Sequence, residues 1–216
     1  MNRRVSPALL SSFLSVEGAL YSFFLVLDLL GRGEQTISIK YACILLCLAF
    51  SLLGGDRLVP LALALTAGAD WFLLVENDHY PLGIGLFLCV QTVYFIRLRR
   101  AGADDGRPLR CALALGAGLG VYALDLATPV NLLAALYFSQ LLSNTLLAWS
   151  LKGKRLRTFA LGLTLFVGCD ICVGLFNVLP PASPLYASVS VGMWLFYLPS
   201  QVLIALSSLP EKENVK

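Results

Sequence analysis

The sequence predicts an all-α polytopic membrane protein, a bundle of eight transmembrane helices with both termini in the cytoplasm. Of the 216 residues, 58% are hydrophobic and only 13% are charged, whereas about a quarter of the residues in a soluble domain are charged. The mean hydropathy is +0.79. Apolar runs close to the roughly 20 residues that a membrane helix needs fill most of the chain. We therefore expect a single integral membrane domain over residues 1–216.

The predicted helices are delimited by charged residues, prolines and glycines between the apolar runs. The turn Gly54-Gly55-Asp56-Arg57 is very short. The segments on either side of it are only just long enough to cross, so seven helices remain an alternative. The predicted spans are 8–30, 37–54, 58–75, 81–98, 109–127, 130–151, 156–178 and 185–208.

The orientation follows from the distribution of Lys and Arg. Fourteen of the sixteen lie at the termini or in the even-numbered loops, and only Arg32 and Lys40 lie in the opposite loops. This bias places both termini in the cytoplasm and favours an even number of spans. The compact loops favour a bacterial inner membrane, although a eukaryotic endomembrane fits the same pattern.

Several functional classes are disfavoured by composition. The net charge of +3 is modest and the basic residues are scattered, so nucleic acid is not an expected partner. The one histidine, His79, and the single close pair Cys169 and Cys172 predict neither a metal site nor a cofactor. There is no G-x-S-x-G motif of a serine hydrolase. Glycines at 116, 118 and 120 are expected to permit close helix packing.

Ionisable side chains inside the bilayer are functional candidates because burying a charge in hydrocarbon is costly. At about 1.5 Å per residue, Asp70 lies roughly 7 Å and Asp170 roughly 12 Å below the outer ends of their helices. Glu17 lies nearer the middle of the membrane. Five groups from five helices are predicted to share the outer half of the membrane, where they can line one polar cavity: Asp28, Lys40, Asp70, Asp125 and Asp170. Asp28 and Asp125 are near enough to the interface to be solvated helix ends instead.

The two buried carboxylates Asp70 and Asp170 predict acid–base chemistry. One can remain protonated as a general acid while the other acts as a base, a division of labour suited to substrates that react through an oxocarbenium ion. Two other functions remain open. Paired carboxylates also occur in proton-coupled transporters, and a non-catalytic lipid-binding protein would keep them as hydrogen-bond partners. For Lys40, the pattern leaves open an outward-pointing amine, an ion pair or a bound headgroup.

At these positions the chain resembles the YhhN family of integral membrane proteins, over most of its length after about residue 36. The elements that carry the resemblance are Lys40, Gly68-Ala69-Asp70, Gly85 with Phe87 and Tyr94, the stretch from Gly162 through Phe166 to Cys169-Asp170, and Tyr197 with Gln201. The chain departs from the family pattern at three positions. Ala69 separates the glycine from the aspartate, Gln91 stands where many members have histidine, and Cys169 replaces a serine.

Characterised members of that family are lysoplasmalogenases, so the resemblance implies an eight-helix hydrolase without metal or cofactor. Its substrate and partner would be a lysophospholipid in the bilayer, whose vinyl ether is cleaved to a fatty aldehyde and a glycerophospho-alcohol. Asp70 and Asp170 would be the acid and the base, and Lys40 would meet the phosphate. The residues expected to orient water or the glycerol oxygens are Gln91, Tyr94, Tyr197 and Gln201.

Overall fold

The computed structural model describes residues 5–210, in which helices make up nearly all of the regular structure and no strand occurs. Each predicted helix is confirmed to within a few residues at its ends. The helices are α1 (Pro7–Leu29), α2 (Ile37–Ser51), α3 (Leu58–Asp70), α4 (Tyr80–Arg100), α5 (Arg107–Ala123), α6 (Pro129–Ser150), α7 (Lys154–Val178) and α8 (Tyr186–Leu206).

Local sequence explains where the helices begin. Ser6 and Thr128 cap α1 and α6, each accepting a hydrogen bond from a backbone amide of the first turn. Proline occupies the first turn of both helices, where its missing N–H costs no intrahelical bond.

Seven of the helices form a closed ring, and α8 also contacts α2 and α3 across it. In order around the ring they are α1, α2, α3, α4, α6, α7 and α8, and α8 returns to α1. Aromatic side chains fill the interior, where Phe87 of α4 lies 5.6 Å from Phe166 of α7 and Tyr94 lies 5.1 Å from Phe159, measured between ring centroids. Outside the ring, α5 packs its backbone against α6, and its Arg110 Cζ lies 3.9 Å from the Phe95 ring centroid of α4.

The helix count is eight, but seven described segments are long and apolar enough to cross a membrane. The exception is α5, which has 17 residues. The second and third helices, which the sequence predicts to be only just long enough, both qualify. The expected packing role of Gly116, Gly118 and Gly120 is wrong within the described chain, because a Cβ added at any of them would have no neighbour within 4 Å. These glycines lie on a helix that has no buried residue.

A tight contact between α7 and α8 fixes the helix that carries the last polar motif. A Cβ at Gly162 would lie 2.9 Å from Ile204 Cγ1 and 3.1 Å from the Ser200 carbonyl oxygen, so glycine allows the close approach. Pro199 lies inside α8 and cannot donate a hydrogen bond to Leu195. The hydroxyl of Tyr21 on α1 donates to that carbonyl instead, at 3.1 Å.

Candidate active site

Asp70 is the last residue of α3 and is only 5% exposed. The chain then widens into a π-helical turn over Trp71–Glu76, a distortion that is often found at functional sites. Two residues that follow, Asn77 and His79, adopt left-handed conformations with φ of 52° and 54°. The turn therefore begins at the aspartate and ends where the chain reverses into α4.

Tyr197 of α8 holds the Asp70 carboxylate. Its hydroxyl donates a hydrogen bond to Asp70 Oδ2 at 2.7 Å, and both side chains are buried. The Tyr197 ring is itself wedged between Phe166, at 5.5 Å, and Trp194, at 5.5 Å between centroids. The orientation of this carboxylate is consequently set by a rigid, aromatic environment.

Asp170 faces the same interior from α7. Its Oδ2 is buried and has no hydrogen-bond partner among the described residues. The hydroxyl of Tyr137 on α6 lies beside this carboxylate and interacts with it electrostatically. The carboxylate thus has an unused acceptor oxygen that faces a phenol.

Cys169 connects the two aspartates. It is 5% exposed, and its thiol lies within electrostatic range of both Asp170 and Asp70. Tyr197 lies within the same range of Cys169 and Tyr137. We call these five side chains, Asp70, Tyr197, Cys169, Tyr137 and Asp170, the aspartate cluster. Four helices contribute to it, so the ring brings together the two carboxylates that the sequence analysis singled out.

Lys40 lies next to the aspartate cluster and forms an ion pair. Its Nζ is 2.8 Å from Asp28 Oδ1, and Thr36 Oγ1 donates a hydrogen bond to the same oxygen at 3.2 Å. The Lys40 ammonium also lies 4.7 Å from the centroid of the Trp194 ring, a cation–π contact. Since Trp194 packs on Tyr197, a single ring separates the ammonium from the tyrosine that holds Asp70.

Two of the other ionisable groups lie elsewhere. Asp125 is exposed in the turn after α5, with φ of 57°, so it does not line the interior with the other four. Glu17 is buried near the middle of α1, where it accepts a hydrogen bond from the Cys47 thiol at 3.4 Å. Four of the five groups therefore form an ion pair next to a pair of carboxylates, and Asp125 is a solvated helix end, the alternative left open for it by the sequence.

Within residues 5–210, no group of three or more His, Cys, Asp and Glu side chains is arranged to hold a metal ion. The aspartate cluster supplies carboxyl, phenol and thiol groups. Carboxyl groups are effective proton donors and acceptors when a substrate atom comes within hydrogen-bond reach.

Comparison with known proteins places this fold in a family. Residues 35–208 match the YhhN family, a stretch that begins just before α2 and ends just after α8. The chain belongs to the YhhN family. No curated protein and no solved structure matches it. Membership provides a family-level link to lysoplasmalogenase.

Two of the expected substrate-binding residues of this YhhN protein form no hydrogen bond with the aspartate cluster among the described residues. Gln91 is 1% exposed and accepts two hydrogen bonds from Asn144 Nδ2, at 2.9 Å to its backbone oxygen and 3.0 Å to its Oε1. Asn144 in turn accepts a hydrogen bond from Arg110 of α5. Gln201 is fully buried, and neither polar atom of its amide has a partner among the described residues. Asn144 of α6 therefore joins Gln91 of α4 to Arg110 of α5.

Tyr94 lies on α4, inside the ring of this YhhN protein. It is fully buried against Phe159, and its hydroxyl has no hydrogen-bond partner in the described chain. Tyr94 lies within electrostatic range of Tyr137 on one side and Arg97 on the other. It is thus adjacent to the aspartate cluster without belonging to it.

Tyr137 and Cys169 were not among the predicted site residues. The sequence shows Tyr137 only as one of several tyrosines at helix depth, where an interfacial role is equally typical. Cys169 looks like a small apolar thiol. The signal that could have identified Cys169 as a site residue was its position directly before Asp170, where the family usually has a serine.

Proposed function

We propose that the protein is a lysoplasmalogenase-like hydrolase that cleaves the vinyl ether bond of lysoplasmalogens by acid–base catalysis. The observation that carries the proposal is that Asp70, bonded by Tyr197, and Asp170, beside Tyr137, both lie near Cys169 inside a closed ring of helices. Membership of the YhhN family supports the same class of reaction.

The reaction requires one acid and one base. The carboxylic acid of one aspartate donates its proton to the vinyl carbon that is not bonded to oxygen, and the ether oxygen then stabilises the adjacent carbon as an oxocarbenium ion. The second aspartate removes a proton from water as the water oxygen bonds to that carbon. The resulting hemiacetal loses its hydroxyl proton, its bond to the glycerol oxygen breaks, and that oxygen is protonated. The products are a fatty aldehyde and a glycerophospho-alcohol.

The surroundings of the aspartate cluster suit these steps. Tyr197 holds one carboxylate in a fixed orientation, and a fixed donor or acceptor reduces the entropy lost in the transition state. Asp170 Oδ2 has no partner in the described chain, so it is free to bond water or substrate. The phenol of Tyr137, whose hydroxyl has no hydrogen-bond partner in the described chain, can stabilise the negative charge that develops on the glycerol oxygen as it leaves.

A single-chain amphiphile fits the rest of this region. Phe87 and Phe166 pack at 5.6 Å beside the tyrosines and would contact the alkenyl chain. Lys40, 2.8 Å from Asp28, is a cation adjacent to the cluster, and we assign it the contact with the substrate phosphate. Gln201, with an unpartnered amide, is assigned to the glycerol or water oxygens.

The proposal is tested with the purified full chain in detergent, by measuring aldehyde release from a lysoplasmalogen and from an ester-linked lysophospholipid of the same chain length. We expect aldehyde from the vinyl ether and no fatty acid from the ester. In D₂O, with the aldehyde reduced as it forms, the product should carry one deuterium at the carbon next to the carbonyl carbon, because that carbon receives the catalytic proton.

Two results would contradict this function. Release of fatty acid from the ester lipid would indicate an acyl hydrolase instead. No turnover of several headgroup classes by protein that unfolds cooperatively would favour transport or lipid binding as the role of the buried carboxylates.

A further inference from the structure

A second cluster of charged side chains lies at one end of the ring, where α2, α4, α6 and α8 finish. We call this the basic end. An ion-paired core ties its helices together. Asp56, in the turn before α3, accepts a hydrogen bond from Arg97 Nε of α4 at 2.7 Å. It also forms an ion pair with Arg155 of α7. Arg97 and Arg155 both also donate to the Ser207 carbonyl oxygen at 2.8 Å.

This core forms one wall of an open cavity of about 520 Å³. The cavity lies between the start of α3, the end of α4 and the start of α7. Its charged lining consists of five basic side chains and one acidic one: Arg57, Arg97, Arg100, Lys152, Arg155 and Asp56. A concave, net positive cavity at the end of a helix bundle attracts anions.

The charge of this cavity is not neutralised within the described chain. Arg97 is 4% exposed, and its Nη1 is buried without a hydrogen-bond partner. Arg57, Arg100 and Lys152 are exposed and form no ion pair with any described residue. The single carboxylate, Asp56, is already shared by two arginines.

The positive-inside bias accounts for basic residues in loops, but not for this geometry. A topogenic charge functions equally well on an exposed side chain that points into water. Here the Arg97 side chain is buried in the cavity wall, and its Cζ lies 4.2 Å from the centroid of the Phe159 ring. Burying an arginine without saturating its donors costs free energy, which a bound anion would recover.

We propose that this cavity is a binding site for a phosphate-bearing anion, independent of the aspartate cluster. Arginine forks recognise phosphate through paired hydrogen bonds, and basic cavities between transmembrane helices bind anionic lipid headgroups. The ligand is a phosphate group, supplied either by an anionic phospholipid of the adjacent leaflet or by a free phosphate from the aqueous phase.

The site is too far from Asp70 to hold the headgroup of a lipid that reacts there. Asp70 and the cavity residue Leu58 are the two ends of α3, separated by twelve residues, or about 18 Å. In a lysophospholipid, only the glycerol backbone separates the vinyl ether from the phosphate. The anion bound at the basic end is therefore a second molecule.

The test uses the full chain in phosphatidylcholine nanodiscs and measures the unfolding temperature. One arm adds inorganic phosphate, with sodium chloride at equal ionic strength as the reference. The other arm replaces part of the phosphatidylcholine with phosphatidic acid and adds no phosphate. Saturating ligand should raise the Tm by about 5 °C.

Two triple variants remove equal charge from the same end. R57Q/R100Q/K152Q alters exposed lining residues without touching the ion-paired core, and we expect it to lose the Tm rise. R99Q/R107Q/R157Q alters exposed basic residues outside the cavity lining, and it should keep the rise. A rise with free phosphate identifies that source, and a rise with phosphatidic acid alone identifies the lipid headgroup.

Two results would overturn the proposal. One is no Tm rise in either arm for the unmodified chain. The other is an equal loss of the rise in both triple variants, which would indicate non-specific attraction to a basic surface. Neither readout uses vinyl ether turnover, so the outcome is separate from the outcome for the proposed function.

Discussion

Tyr197 and Asp70 are joined by a 2.7 Å hydrogen bond across 127 positions of the sequence. The bond connects the last helix to the end of α3, where the π-helical turn begins. Because the two helices contact each other within the ring, the tyrosine hydroxyl is delivered to the carboxylate by tertiary packing. The first prediction concerns this bond.

Replacing Tyr197 with phenylalanine should lower kcat by about 10-fold or more, because a hydrogen bond to a carboxylate contributes about 1.5–3 kcal/mol. The ring, and with it the contacts to Phe166 and Trp194, is retained. KM should change little, since the bond orients Asp70 rather than the lipid. Steady-state kinetics of aldehyde release measure both constants. Tyr186→Phe, at the same end but stacked on Phe176, is the control and should leave kcat unchanged.

The Lys40–Asp28 ion pair predicts a strong energetic coupling. Both side chains are less than a tenth exposed, so Asp28→Asn or Lys40→Met alone leaves a buried charge and should lower stability by about 3 kcal/mol. The double variant should be less destabilised than the sum of the two. Thermal unfolding of the four proteins in one detergent measures the coupling.

The same variants test the assignment of Lys40 to the substrate phosphate. Lys40→Met and the double variant should raise KM for a lysoplasmalogen, whereas Asp28→Asn, which keeps the ammonium, should not. An unchanged KM in the double variant would remove Lys40 from the substrate site and leave it a purely structural role.

The Asp56 core predicts a pH-dependent stability. Burial alone raises the pKa of Asp56, but the charges and hydrogen bonds of Arg97, together with the charge of Arg155, outweigh burial and hold the pKa below its ordinary value. A carboxyl whose pKa is lowered by folding stabilises the protein at neutral pH. That contribution decreases as the pH falls below the unfolded value of about 3.9.

Asp56→Asn should therefore lower stability by about 3 kcal/mol at neutral pH, because it leaves Arg97 buried without its carboxylate. The Tm values of the variant and the unmodified chain should converge as the pH falls below about 4. Asp105→Asn breaks an ion pair with an Arg107 side chain that is 84% exposed and should change Tm little at any pH. A Tm difference for Asp56→Asn that does not vary with pH would contradict the charge-based account.

The topology predicts that α5 crosses the membrane despite its length. Seventeen residues extend about 25 Å, slightly less than the roughly 30 Å of hydrocarbon, and local thinning of the bilayer can accommodate the difference. Epitope tags inserted after residues 104 and 126 should be accessible from opposite sides, with 104 on the side of the C-terminus. Accessibility of both tags from one side would show that α5 lies along the interface.

The helices were predictable because their signals are local. Apolar runs and charged turns fix each helix to within a few residues, as at Pro7–Leu29 and Lys154–Val178. The π-helical turn after Asp70 was not predicted. The third helix was expected to continue as an α-helix to residue 75. Helix propensity does not distinguish an α-turn from a π-turn, and tertiary packing decides between them.

The contents of the site were only partly predictable, because partners depend on helix order in space. The depth of Asp70 and Asp170 follows from their distance to a helix end, and the ring brings both to Cys169. Nothing local indicates that Lys40 pairs with Asp28 or that Gln91 bonds Asn144 on α6. The expected packing by the glycines of α5 failed for the same reason, since the spacing of small residues does not identify a neighbouring helix.

The central claim, that Asp70 and Asp170 are an acid–base pair, is tested most directly by the rate of aldehyde release from a lysoplasmalogen by Asp70→Asn and Asp170→Asn. Asp125→Asn, an exposed carboxylate outside the ring, serves as the matched control, and thermal unfolding verifies that each variant is folded. We predict a loss of about 10²–10⁴-fold for each of the two cluster variants and an unchanged rate for Asp125→Asn. Full activity in either folded cluster variant would contradict the assignment.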